Sequence, residues 1–333
     1  MSENSAAEIY PWLKSSWHNL LRQHEQDSMP HALLLTGPQG IGKAHFGFQL
    51  ALFLLCSHPA GDRACGSCKS CCLMRSGTHP DLLRLSPEDE GKAIKVDQVR
   101  SINHFVGQTA QLGGYKIILL HPAEALNISA ANALLKSLEE PNGRCLFVLL
   151  TDQPSRLPAT IRSRCHQIAL PLPSKEDALI WLRQHGSDPD SMPLLLNLAN
   201  GAPLLALSYQ ESDYLSQRDT LIKGFMALQK GQASPLEIAQ QWQSLDLLAI
   251  LNWMNQYVID LIKLCLVKDD QFLKNSDAKL FLSAMAEQVY ANKLYLYRDR
   301  LVEAKRGLLS GNNPNKILLL EDLLIRWSRC ISH

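Results

Sequence analysis

ALLLTGPQGIGKAH, residues Ala32 to His45, decides the fold. Four apolar residues run directly into a glycine-rich loop, and from Lys43 the apolar positions recur at helical spacing to Leu55. A buried strand, a tight loop and a helix in that order place backbone N–H groups at a helix N-terminus, the arrangement that cradles phosphate. Gly37, Gly40, Gly42 and Lys43 fit G-x-x-x-x-G-K, but the next position departs from it. Ala44 stands where Ser or Thr would offer a hydroxyl to magnesium. The apolar run KIILL (Lys116 to Leu120) is followed by His121 and Pro122 where an acidic residue should close the metal site, and Glu124 lies three positions further on. The loop is therefore expected to persist as architecture. At most it keeps weak phosphate affinity through Lys43, with no Mg2+ site and no hydrolysis.

Working outward, Lys116 to Leu120 and CLFVLL (Cys145 to Leu150) are strand candidates, and SAANALLKSLEE (Ser129 to Glu140) between them has helical spacing. Ser129 is its candidate N-cap and Pro141 marks its end. Alternating strands and helices predict an α/β domain on a mainly parallel sheet over residues 1–170. PLPS (Pro171 to Ser174) marks a boundary, after which strand patterns largely vanish. A small helical domain is expected over 171–208 and an all-α domain over 209–333, with helical spacing through Leu236 to Cys265, Lys279 to Tyr297 and Lys316 to Arg329.

Cys56, Cys65, Cys68 and Cys71 follow the first helix as C-x8-C-x2-C-x2-C. Four thiolates at this spacing suit tetrahedral Zn2+, because each C-x2-C turn aims two sulfurs at one ion, and Gly66 relaxes the first turn. Cys72 competes for the fourth place, but adjacent residues rarely face one ion together, so Cys71 is expected. The stretch from about 56 to 78 then reads as an insertion stitched by metal. Cys145, Cys165, Cys265 and Cys330 are dispersed, as buried thiols in a reducing compartment are. Met1 to Tyr10 lacks a basic segment followed by an apolar run, so the cytoplasm is expected. The net charge of +1 gives no global field toward nucleic acid or membranes. The longest apolar runs are strand-length, too short to span a bilayer. The surroundings of the cysteines mix Arg63, Lys69, Arg75 and His79 with Asp62 and Asp81, which favours a structural module over base readout.

PHALLLTGPQGIGK (Pro30 to Lys43), THPDLLRL (Thr78 to Leu85), SAANALLKSLEEP (Ser129 to Pro141), LPATIRSRC (Leu157 to Cys165) and the cysteines occur in one order that resembles the clamp-loader subunits of bacterial DNA polymerase III. Within that group, Ala44, His121 and Pro122 depart from the ATP-hydrolysing gamma/tau pattern and resemble the delta-prime family. The resemblance implies a RecA-like AAA+ domain, a helical lid and a helical collar. It implies a hetero-pentamer with gamma/tau motor and delta subunits, which loads the sliding clamp onto primed DNA as an accessory of the polymerase, a nucleotidyltransferase. It also implies that Arg164 of Ser163-Arg164-Cys165 serves as an arginine finger toward a neighbouring subunit's nucleotide, with Arg162 as the rival. Thr151 falls in the sensor-one region, and Leu204 stands where a motor subunit would place arginine. The alternatives are an active gamma/tau-like ATPase and a zinc-dependent DNA-binding protein.

Overall fold

The computed structural model describes residues 8–89, 91–141, 143–267, 273–309 and 314–331. Helix α1 (Lys14–Glu25) buries Trp17, Leu20 and Leu21, which its three- and one-residue steps bring to a single stripe. Strand β1 (Ala32–Thr36) leads through the glycine loop into α2 (Lys43–Leu55), and the cysteine segment carries α3 (Lys69–Ser76). Then come β2 (Leu82–Leu85), α4 (Val96–Val106), β3 (Lys116–Leu120), α5 (Ile128–Glu139), β4 (Cys145–Thr151), the short α6 (Ala159–Arg162) and β5 (His166–Ala169).

All strand pairings in this sheet are parallel, in the order β2-β3-β4-β1-β5. Successive side chains of a strand point to opposite faces, and here both faces are buried. Leu33 and Leu35 of β1 join Ile117, Leu119, Leu146 and Val148 against α1 and α2. Ala32 and Leu34 join Ile118, Leu120, Phe147 and Leu149 against α4 and α5. That double burial is why ALLL, KIILL and CLFVLL carry no polar alternation. The order and the loop after β1 define an AAA+-like α/β domain. Helix α5 begins one residue before Ser129, and its cap is Asn127, whose side chain accepts from the Ala130 N–H at 2.8 Å.

Beyond the sheet the chain is helical: α7 (Lys175–His185), α8 (Met192–Leu198), α9 (Pro203–Gln210), α10 (Tyr214–Gln229), α11 (Pro235–Gln241), α12 (Leu247–Val267), α13 (Lys279–Ala286), α14 (Ala291–Leu309) and α15 (Lys316–Ser328). Two of the three long helical stretches read from spacing are each broken in two, at 242–246 and at 287–290. The chain divides into two compact units. One runs to Ala178 and includes Ala202–Leu205; the other takes Leu179–Gly201 and the residues from Ala206 onward. The helical unit is centred on Phe225, Trp242, Trp253, Tyr257 and Trp327. Among the described residues, no helix is long and apolar enough to cross a membrane.

Candidate functional site

In a parallel sheet the loops at the carboxyl ends of the strands form the ligand-binding edge. Thr36 pairs with Thr151, so β1 and β4 end level, and Asp152 falls beside the glycine loop. The Asp152 carboxylate forms an ion pair with Lys43, and the Asp152 N–H donates to Glu124 Oε1 at 3.1 Å. The Lys43 Nζ also donates to the carbonyls of Gly37 (2.9 Å) and Pro38 (2.7 Å). An ammonium has three N–H donors, and these three acceptors engage all of them. The Lys43 side chain is 3% exposed, so its pairing is internal to the fold.

Protein groups also pack both flanks of the loop. Trp12 Nε1 donates to the Ile41 carbonyl at 2.9 Å, and the Leu204 N–H donates to the Gly40 carbonyl at 3.0 Å. Gly40 (φ 80°) and Gly42 (φ 96°) occupy left-handed backbone. A Cβ at Gly42 would come 2.5 Å from the Tyr10 ring, so glycine is required there on both grounds. Thr151 is fully buried, and its hydroxyl accepts from the Gln153 N–H at 3.1 Å.

The sulfurs of Cys56, Cys65, Cys68 and Cys71 all lie within 4.8 Å of one another. Their spacings include 3.5 Å for Cys56–Cys65 and 3.9 Å for both Cys56–Cys68 and Cys65–Cys71. Tetrahedral zinc with Zn–S near ~2.3 Å requires sulfurs about 3.8 Å apart, so the cluster could hold such an ion. Backbone N–H groups turn toward these sulfurs: Cys65 N–H to Cys56 Sγ and Cys68 N–H to Cys65 Sγ, each at 3.3 Å, and Cys71 N–H to Cys68 Sγ at 3.4 Å. Hydrogen bonds from the backbone of Ser67 and Cys68 pull the Cys65 thiol down to about 6, whereas burial pushes Cys71 up. Cys72 is exposed, and its thiol points to the Ser67 carbonyl at 3.7 Å, outside the cluster.

THPDLLRL acquires a physical role that its composition did not reveal. His79 and Asp81 are buried rather than part of a surface patch beside the cysteines. Asp81 accepts the N–H groups of Gln111 (2.8 Å) and Leu112 (2.9 Å) and so pins the approach to β3. His79 Nδ1 accepts from the Asp81 N–H at 3.1 Å, which leaves the proton on Nε2. Nε2 donates to Ser70 Oγ at 2.7 Å, and that hydroxyl donates to the Leu55 carbonyl at 2.5 Å. The relay ties α3 to the end of α2. Of the surrounding basic groups, Arg63 pairs with Glu8 at 2.8 Å and Arg75 donates to the Gly66 carbonyl at 2.6 Å.

Arg164 lies between α6 and β5, with its side chain 35% exposed. Its Nε and Nη2 approach Glu139 Oε1 at 2.6 and 2.5 Å, and Nη1 donates to the Thr160 carbonyl at 3.0 Å. Arg162 differs: its Nε is buried with no hydrogen-bond partner among the described residues. Sequence reasoning missed both Asp152 and Glu139. Glu139 sits in the quoted motif, but only the fold brings it to Arg164. Asp152 required knowing that β4 neighbours β1.

These features describe a phosphate-loop α/β protein of the AAA+-like class, with a four-cysteine knot and an internally paired loop lysine. A family model described as DNA polymerase III, delta subunit, matches residues 12–174, and one for the C-terminal part of that subunit matches 212–329. The chain is 41% identical over 326 residues to DNA polymerase III subunit delta-prime of Pseudomonas aeruginosa, covering 97% of this chain and 98% of that one. It is 32% identical over 319 residues to the Escherichia coli subunit delta-prime, covering 95% and 94%. A solved structure of a gamma-subunit-related protein from Thermotoga maritima covers 96% of this chain and 99% of its own, at 18% identity and a TM-score of 0.46. The chain belongs to the delta-prime subunit family of DNA polymerase III.

Proposed function

We propose that this protein acts as a non-hydrolysing subunit of the bacterial clamp loader. In this reading it assembles with gamma/tau motor and delta subunits into a hetero-pentamer in the cytoplasm and helps place the sliding clamp on primed DNA. The observation that carries it is Lys43: every donor of the loop lysine is consumed by Asp152 and two carbonyls, and none remains for a phosphate. Ala44 and the His121-Pro122 pair supply neither the hydroxyl nor the carboxylate that would organise magnesium. A gamma/tau-like ATPase therefore fits these residues poorly. The buried His79 and Asp81, with Arg63 and Arg75 already engaged, weigh equally against a zinc-dependent DNA reader.

In this role the chain's chemical contribution goes to its neighbour. Arg164 is partly exposed on the α/β domain, and a guanidinium beside a transferring phosphoryl group neutralises the charge that spreads over its oxygens. Cys56, Cys65, Cys68 and Cys71 would hold a structural Zn2+, which cross-links a segment with little apolar core of its own. We retain the division into an AAA+ domain (1–170), a lid (171–208) and a collar (209–333) as part of this proposal.

Purified protein incubated with ATP and Mg2+ tests the non-hydrolysing role. No turnover above background is expected, together with copurification of tagged motor and delta subunits. Magnesium-dependent turnover that disappears in Lys43→Ala would instead identify the chain as a motor.

A further inference from the structure

We propose that Glu139 is a positioning residue that parks Arg164, so that the arginine engages a neighbouring nucleotide only by exchanging the Glu139 carboxylate for a phosphate oxygen. This rests on the finger role proposed above. A guanidinium has five N–H donors, and four of those of Arg164 are occupied. Nε and Nη2 meet Glu139 Oε1, and Nη1 donates to the Thr160 carbonyl and, at 3.3 Å, to Ser163 Oγ. The second N–H of Nη2 has no acceptor among the described residues. In this pose Glu139 holds the Nε/Nη2 edge of the guanidinium, one of the edges that could grip a phosphoryl oxygen with two parallel N–H bonds.

Glu139 sits where its own helix does not favour a carboxylate. It is the last residue of α5 and is followed by Glu140, where the negative end of the helix dipole disfavours carboxylates. Holding Arg164 offsets that penalty. Both side chains are substantially exposed, 35% for Arg164 and 48% for Glu139, so the pair is weak enough to exchange. A γ-phosphate carries more charge than a carboxylate and accepts several charge-assisted hydrogen bonds, which favours the exchange once a nucleotide is adjacent.

The test is ATP hydrolysis by the reconstituted loader without DNA, for wild type, Glu139→Gln, Arg164→Ala and the double variant, with assembly checked by gel filtration. The quantity read is the Arg164-dependent rate, the difference between each complex and the same complex carrying Arg164→Ala. Glu139→Gln is expected to raise this difference about two- to fivefold, the factor an exposed ion pair supplies. It should change nothing when Arg164 is already alanine. In the isolated protein, the Arg164 Nε–H NMR signal should exchange with solvent faster in Glu139→Gln than in wild type. An unchanged or lowered Arg164-dependent rate in an assembled Glu139→Gln complex overturns the parking role while leaving the finger intact, provided that Arg164→Ala still slows hydrolysis. A rise that persists in the double variant also overturns it. If Arg164→Ala matches wild type, the finger and the parking role fall together.

Discussion

Asp152→Ala removes the acceptor that neutralises Lys43 and leaves a lysine that is 3% exposed with two carbonyl partners and one unmatched N–H. Breaking a fully buried ion pair costs about 3–5 kcal/mol because the surviving charge is stranded. Asp152 is 24% exposed, however, and water can enter the space it vacates. The expected loss is therefore closer to that of one charge-assisted hydrogen bond, about 2 kcal/mol. For a unit of this size that lowers the melting temperature by roughly 4–8 °C. Asp152→Asn keeps an oxygen acceptor without the charge and should cost about half as much. Hydrogen exchange of the β1 and α2 amides during denaturant titration assigns the loss to the α/β unit. In a Lys43→Met background the Asp152→Ala effect should shrink to under about 0.5 kcal/mol. Equal losses in the two backgrounds would refute the idea that Asp152 acts through Lys43.

Purified protein should carry about one zinc per chain. Cys71→Ser should lose it to a competing chelator while Cys72→Ser retains it, and the reverse pattern would move the fourth ligand to Cys72. Burial holds the His79 imidazole below its ordinary 6.5, so the unfolded chain takes up the proton first as pH falls. The stability tied to neutral His79 should be complete above about pH 6.5 and decline as pH drops through that value toward the folded pKa. Urea midpoints between pH 5 and 7.5 should show this dependence flattened in His79→Gln, and an unaltered slope would remove His79 as its source.

The α/β architecture was legible because its central strands β3, β4 and β1 are buried on both faces, and uninterrupted apolar runs such as KIILL and CLFVLL record that directly. Strands β2 and β5 were missed. LLRL and HQIA are short and partly exposed, so they carry neither a long apolar run nor clean alternation. The breaks between α11 and α12 and between α13 and α14 were hidden for a related reason: apolar spacing continues across them, and at the second the chain pairs with a distant segment, the Tyr290 N–H donating to the Cys330 carbonyl at 3.1 Å beside a Val289–Ile331 bridge. Of the candidate sites, the cysteines were readable from local spacing, since most of the knot's geometry lies within one short segment. The partners of Lys43 and Arg164 were not. Asp152 is 109 residues from Lys43 and Glu139 is 25 from Arg164, and only strand order and helix placement bring each pair together.

The decisive comparison is DNA-stimulated ATP hydrolysis and clamp loading by a reconstituted loader carrying either the wild-type chain or Arg164→Ala. Fingers of this kind are worth on the order of 10³ to 10⁵ in rate at the site they serve. Motor sites served by other arginines would continue to turn over, so total hydrolysis should fall only in part, with zinc content and assembly unchanged. Clamp loading should fall further if the sites fire in sequence. Wild-type hydrolysis and wild-type loading in a fully assembled Arg164→Ala complex would contradict a donated arginine.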